Sequence, residues 1–167
     1  MTAQSAPFAS TPLTIEPDWI DYNGHLNMAF YMVLFDIASD QAFAHLGLGP
    51  DYAKSRHHTT YTAEAHIRYI QEVHESDPMV CTLQLIAHDE KRMHTWQELR
   101  HAEENWLAAT NEMITLHVDM SGPRVAAMPD DISDNVNTMA RAHAELPLPD
   151  GLGRQMGIPI KANGALP

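Results

Sequence analysis

Residues 28–35 are eight apolar side chains in a row: Met28, Ala29, Phe30, Tyr31, Met32, Val33, Leu34 and Phe35. Followed to residue 46, the run predicts one helix. Asn27 is placed to cap its first turn. Gly47 and the Gly49, Pro50 pair supply the stop. Asp36 and Asp40 mark a narrow polar stripe. A helix this apolar cannot lie on a surface and must be covered from several sides. Eight residues fall far short of the roughly 20 that a membrane span needs, so the cover has to be protein.

The chain downstream can supply that cover. Between residues 59 and 73, Tyr61, Ala63, Ala65, Ile67 and Tyr69 alternate with Thr62, Glu64, His66 and Arg68, the period of a strand. Residues 75–78 read as a turn. Met79, Cys81, Leu83 and Leu85 then alternate with Val80, Thr82, Gln84 and Ile86. Two further strands are expected over 92–100 and 106–120, separated by turns at 88–91 and 102–105. Leu13 and Ile15 suggest a short first strand over 11–17, and residues 52–56 a polar connection. The expected class is α+β, an antiparallel sheet of about five strands against one long buried helix.

Residues 121–167 change character. Pro123, Pro129, Pro147, Pro149 and Pro159 break the pattern, and one more helix fits 131–146, with Ile132, Val136, Met139, Ala140 and Ala144 on one side. The expected organisation is a domain over 1–120 and a C-terminal extension over 121–167.

Charge narrows the partners. Twenty-two acidic residues against ten basic give a net charge of −12. That excludes a nucleic-acid backbone as main partner, since phosphate binding needs a basic face, and argues against anionic lipid. A lone cysteine, Cys81, rules out an internal disulfide and sits where packing makes it inert. The first ten residues read as a frayed leader without the basic and apolar stretches of a signal peptide. The cytoplasm is the expected location. Eleven histidines stand out, but His57, His58 and His66 make a poor metal set. Adjacent strand residues point to opposite faces, so no metal site is expected. Trp96 and Trp106 read as packing residues.

The chemistry concentrates at Asp21, Gly24, His25 and Asn27, directly before the apolar helix. A carboxylate there can activate water or attack a carbonyl. The helix N-terminus, with its unpaired N–H groups and partial positive charge, suits a developing oxyanion. The residues alone also allow a plain reading, with Asn27 a cap, Asp21 a turn residue and His25 packed under the loop.

The pattern Asp21, Gly24, His25, Asn27 and Tyr31, followed by a long apolar helix and four strands, resembles the hotdog-fold acyl-CoA thioesterases of the 4-hydroxybenzoyl-CoA thioesterase type. The stretches 19–25, 64–67, 88–92 and 116–119 are similar to the branch that includes betainyl-CoA thioesterases. The resemblance implies a hotdog fold, with the sheet wrapped around the long helix and the C-terminal helix as an addition. It implies hydrolysis of an acyl-CoA thioester, with no cofactor beyond the coenzyme of the substrate. Asp21 matches the catalytic carboxylate, as nucleophile or general base, and the Met28 N–H matches the oxyanion donor. His25 and Asn27 match residues lining the same site, and Tyr31 is placed to wall the acyl pocket. Such enzymes build the site at a subunit interface, so a homodimer or a homotetramer (a dimer of dimers) is expected. Thr62, Glu64 and His66, taken as one face of the second strand, are the candidates for substrate binding from there. Arg68, Lys91 and Arg92 are the candidates for coenzyme A phosphates and are expected to cluster at the entrance. Tyr22, Phe30, Tyr31, Tyr61 and Glu64 are candidates for holding a cationic acyl group. A hotdog enoyl-CoA hydratase and a non-catalytic acyl-CoA binder are the alternatives.

Overall fold

The computed structural model describes residues 6–158. The ends of the expected leader and of the C-terminal extension lie outside the described residues. Helix α1 spans Met28–His45 and is about 27 Å long at 1.5 Å per residue. Four long strands follow the short helix α2, Pro50–Arg56. They are β2 (His58–Tyr69), β3 (Met79–His88), β4 (Arg92–His101) and β5 (Leu107–Asp119). Two-residue strands β1 (Phe8–Ala9) and β6 (Arg124–Val125) and helix α3 (Asp130–His143) complete the chain. The sheet is antiparallel in the order β1-β3-β4-β5-β2, with β6 added beside β5.

Helix α1 lies on one face of the sheet. Tyr31, Leu34, Phe35, Ala38, Ser39, Ala42 and Phe43 are its buried residues, spaced as a single helical stripe. The first half packs with Leu13, Ile15, Leu26, Val73, Met79, Cys81 and Leu99. The second half packs with Leu83, Leu85, Met93 and Met113, where Ile132, Val136 and Met139 of α3 join the same cluster. Gln97, fully buried, ties the helix to the sheet. Its Nε2 donates to Phe35 O (2.9 Å) and Ser39 Oγ (3.1 Å), and its Oε1 accepts from Asn111 Nδ2 (2.8 Å). Buried polar groups satisfied this way fix one alignment of helix on sheet.

Away from the sheet α1 leaves Val33 and Ile37 open, 36% and 38% exposed, beside the exposed Asp36 and Asp40, and Met28 is 66% exposed in the first turn. The first eight residues of the helix are therefore apolar all round, as the sequence indicates, but the chain covers only one side of them.

Four expectations are corrected. The first strand is Phe8–Ala9, paired with β3, inside the stretch read as a leader. Residues 11–17 contribute only a bridge from Leu13 to Met79. The polar connection at 52–56 is part of α2, which Pro50 opens and Tyr52 anchors in the core. Strand β2 ends at Tyr69 rather than 73. Finally, Thr62, Glu64 and His66 do not share a face. A bulge makes Thr62 the partner of Thr115 but Glu64 the partner of Ile114, and neighbouring β5 residues point to opposite sides. Thr62 faces the helix side, beside Met113 (Oγ1 to Sδ, 3.4 Å). Glu64 and His66 face the other way.

Candidate active site

The segment before α1 folds back on itself. Residues Pro17–Trp19 make one 3-10 turn, and Ile20 then bridges to Leu26. Inside this small loop Asp21 N–H donates to His25 O (2.9 Å) and Gly24 N–H to Asp21 O (2.9 Å). Gly24 takes φ +82°, a conformation that glycine reaches without steric cost. Asn23 N–H donates to Asp21 Oδ1 (2.8 Å), so one carboxylate oxygen is held by the turn. Oδ2 makes no hydrogen bond among the described residues. Asp21 is half-buried.

The loop delivers the chain to the helix. Asn27 N–H donates to Trp19 O (2.9 Å), and Asn27 Oδ1 accepts from Ala29 N–H (3.0 Å). Phe30 N–H bonds Asn27 O (2.9 Å), and its ring stacks on Trp19 with centroids 5.3 Å apart. Of these first-turn N–H groups, that of Met28 has no partner among the described residues. An unpaired N–H at the positive end of an 18-residue helix is a ready donor for an oxyanion. Asn27 is thus a cap and Asp21 a turn residue, and the same bonds present Oδ2 and the Met28 N–H at one end of α1.

The stretch after β2 closes over this loop, a contact that no local feature of the sequence marks. Leu26 N–H donates to Val73 O (2.7 Å). His74 Nδ1 lies 3.2 Å from Gly24 O, which makes that nitrogen the donor. His25 Nε2 lies 3.4 Å from Glu72 Oε2, and the His25 and His74 rings meet edge to face at 5.0 Å. Tyr69 donates its hydroxyl to Met28 O (3.2 Å) and Tyr31 to Gln71 O (3.4 Å). The two tyrosine rings meet edge to face at 5.2 Å. Burial pushes the Tyr31 phenol above its ordinary range, and the charges of Glu72 and Asp21 add to this. It is a neutral donor at any working pH. Tyr69, Glu72 and His74 are the site residues that sequence reasoning missed.

The remaining candidates are dispersed. Along β2, His66 is three residues and Thr62 seven residues from Tyr69, roughly 10 and 23 Å at about 3.3 Å per residue. Within one protomer neither reaches the loop. Glu64 and His66 line an open groove of about 560 Å³ on the far face, with His94, Glu112 and residues 153–156. That groove holds no helix terminus, and Glu112 is already bonded to His94 (2.9 Å) and to Gly153 N–H (2.8 Å). Tyr61 donates to Met120 Sδ (3.0 Å) at the start of β2, away from the loop. Phe30 is taken by Trp19, whereas Tyr22 is fully open on the loop. The bases do not cluster. Arg68 pairs across to Thr110 and Arg92 to Leu116, six residues or roughly 20 Å apart along β5. Lys91 pairs with Glu90 (3.1 Å), and Arg92 Nε donates to Asp89 (2.7 Å). Residues 16–31 and 69–77 carry Glu16, Asp18, Asp21, Glu72, Glu75 and Asp77 and no lysine or arginine. Cys81 is fully buried and burial pushes its thiol up.

Known proteins resemble this arrangement. The family described as the thioesterase-like superfamily matches residues 15–136. The betainyl-CoA thioesterase of Pseudomonas aeruginosa is 38% identical over 143 residues, covering 86% of this chain and 90% of that protein. The L-carnitine dehydrogenase/betainyl-CoA thioesterase of a Rhizobium species is 34% identical over 83% of this chain, which spans 28% of that longer protein. Among solved structures, a Staphylococcus aureus protein in complex with CoA superposes with a TM-score of 0.85 at 26% identity, covering 92% of this chain and 96% of that one. The 1,4-dihydroxy-2-naphthoyl-CoA thioesterase of Synechocystis shares the fold, with a TM-score of 0.68 at 15% identity over 86% of this chain and all of that one.

Proposed function

This chain belongs to the thioesterase-like superfamily and is an acyl-CoA thioester hydrolase, and we propose that the Asp21 loop is where the thioester is opened. The observation that carries this is an Asp21 Oδ2 without a hydrogen bond in the loop that leads into α1, together with an unpaired Met28 N–H in the first turn of that helix, both among the described residues. Asp21 takes a proton from water, and the hydroxide adds to the thioester carbon. The carbonyl oxygen becomes an oxyanion facing the Met28 N–H and the positive end of α1. Collapse breaks the C–S bond, and the leaving thiolate takes up the proton that Asp21 received. Direct attack by Asp21 followed by hydrolysis uses the same oxygen and gives the same products. His25 and Asn27 border the reacting group, and Tyr31 walls the acyl end.

The acyl group we propose is betaine or a similar quaternary ammonium acid. The Pseudomonas relative supports this, and so do the six carboxylates around the loop with no lysine or arginine among them. The exposed aromatic surface of Tyr22 and Tyr69 suits a trimethylammonium group. The polyanionic coenzyme then meets an acidic protein in which Lys91 and Arg92 are paired with Glu90 and Asp89, and the Arg68 guanidinium lies beside Gly151 and Trp96. Its pantetheine arm, rather than its phosphates, is the main point of contact.

The site is completed by a second copy of the chain. The outer edge of β2 carries no strand among the described residues. Tyr61, Tyr69 and Ile70 beside it, and Val33 and Ile37 on α1, are open apolar surface. Antiparallel pairing of two β2 edges lays the start of one strand beside the end of the other. That brings a Thr62 region towards a Tyr69 region, which no single protomer does. A dimer of such dimers is the further assembly open to it.

A panel of acyl-CoA thioesters, followed by thiol release, tests the substrate. Betainyl-CoA should be hydrolysed with a higher kcat/KM than neutral acyl-CoAs of equal length. Equal or better rates on the neutral esters would remove the cationic substrate and leave the hydrolase.

A further inference from the structure

The four residues after β2 and its following position, Gln71 to His74 in number order, touch the Asp21 loop and helix start at four points. Gln71 O receives the Tyr31 hydroxyl and Val73 O receives Leu26 N–H. The His74 ring bonds Gly24 O, and Glu72 approaches His25. Three of these contacts hold backbone or a buried phenol in place. The fourth is different, because it engages the one imidazole of the Asp21 loop. It is also the most open, with the His25 and Glu72 side chains 31% and 69% exposed. Ion pairs so exposed contribute little to stability, so the contact needs another reason to exist.

We propose that Glu72 is a positioning residue of the thioesterase site, acting through His25. This rests on the reading of the Asp21 loop as the hydrolytic site. A carboxylate 3.4 Å from Nε2 favours hydrogen on Nε2, and in the neutral ring this leaves Nδ1 as the acceptor nitrogen. The edge of His74 limits the ring from another side, and the His74 bond to Gly24 O fixes the backbone one residue before it. His25 is thereby held in one orientation and one tautomer beside Asp21, ready to accept a hydrogen bond from water or substrate. The arrangement follows the general logic in which a carboxylate orients an imidazole that orients the reacting group.

The test is steady-state hydrolysis of an acyl-CoA by Glu72→Ala, Glu72→Gln, His25→Asn and the Glu72→Ala/His25→Asn double variant, with thermal unfolding alongside. Glu72→Ala should lower kcat roughly tenfold or more, the scale of lost orienting partners. KM and the unfolding midpoint should stay unchanged. Glu72→Gln keeps an oxygen acceptor for Nε2–H and should recover most of kcat. In the His25→Asn background Glu72→Ala should cost nothing further, because the pair acts as a unit. An equal loss in both backgrounds would overturn the proposal, as would an unchanged kcat in Glu72→Ala or a loss confined to KM. Asp21→Asn run in parallel separates the two levels. If it stays active, the reading of the site fails; if it is dead while Glu72→Ala is normal, only the role of Glu72 fails.

Discussion

Asn27 does two things with one side chain. It caps α1 through Ala29 N–H, and by taking that N–H it leaves the one on Met28 for the substrate. Asn27→Ala should therefore cost about 1 kcal/mol of stability, read by chemical denaturation, with a fall in kcat as the first turn frays. Gly24 is constrained by backbone alone. Its φ is +82° and a side chain there would meet nothing within 4 Å. Gly24→Ala should then cost about 1–2 kcal/mol from the left-handed conformation and lower kcat by shifting Asp21, with KM less affected. These residues were legible in the sequence because their partners lie within a few positions: a turn, a cap and a helix start are local events. Glu72 and His74 were not, because they reach His25 and Gly24 from some 50 residues away through the path of β2. A histidine before a turn carries no mark of the carbonyl it will bond.

At the scale of elements, the helix and the long strands followed from their periods, and the failures lie where one residue changes the phase. The bulge between Thr62 and Glu64 reverses every side chain beyond it, so alternation alone placed Thr62 with Glu64 and His66. No glycine or proline marks that point. Strand β3 shows how an edge is managed. Beyond the two residues of β1, Leu85 N–H is bonded by His143 Nδ1 of α3 (2.8 Å), so the late helix closes an edge that would otherwise stay open. Helix α2 is pinned in a comparable way to β5. Tyr52 and His117 Nε2 are 2.8 Å apart, and His117 Nδ1 lies 2.9 Å from Ala126 O. The carbonyl requires hydrogen on Nδ1, so Nε2 accepts from the tyrosine and the ring is neutral. Burial holds the His117 pKa below its ordinary 6.5. The stacked His58 pushes it the same way, while Asp119 opposes. The unfolded chain takes up this proton at a higher pH than the folded one. The contribution is therefore present above about pH 6.5 and is lost as pH falls towards the lower folded value. Unfolding free energy should decline over that window. His117→Gln, which keeps the acceptor without titrating, should flatten the decline; an unaltered slope would remove His117 as its source.

For the whole molecule, the sequence implied a helix needing more cover than its own sheet gives, and the structure leaves Val33 and Ile37 open on its outer side. Ile37→Lys should leave the protomer folded, since the residue is already at its surface. If the proposed dimer uses this face, the change should shift the mass by light scattering towards that of a monomer and lower activity with it. A mass equal to that of the unaltered chain would remove this face from the proposed interface. The net charge of −12 gave no hint of how the few bases are used, because pairing depends on turns such as the one joining Asp89 to Arg92. With Lys91 and Arg92 engaged by Glu90 and Asp89, KM for the acyl-CoA should fall or stay level as salt rises, screening repulsion rather than attraction. A steep rise in KM would instead reveal direct phosphate contacts. Hydrolysis at this site depends first on Asp21. Asp21→Asn keeps the size of the side chain and the oxygen that receives Asn23 N–H, and removes the base. Thiol release from acyl-CoA by this variant, measured at matched fold and assembly, should drop at least a thousandfold, on the order expected when an essential catalytic group is lost. Hydrolysis at the wild-type rate would contradict the account.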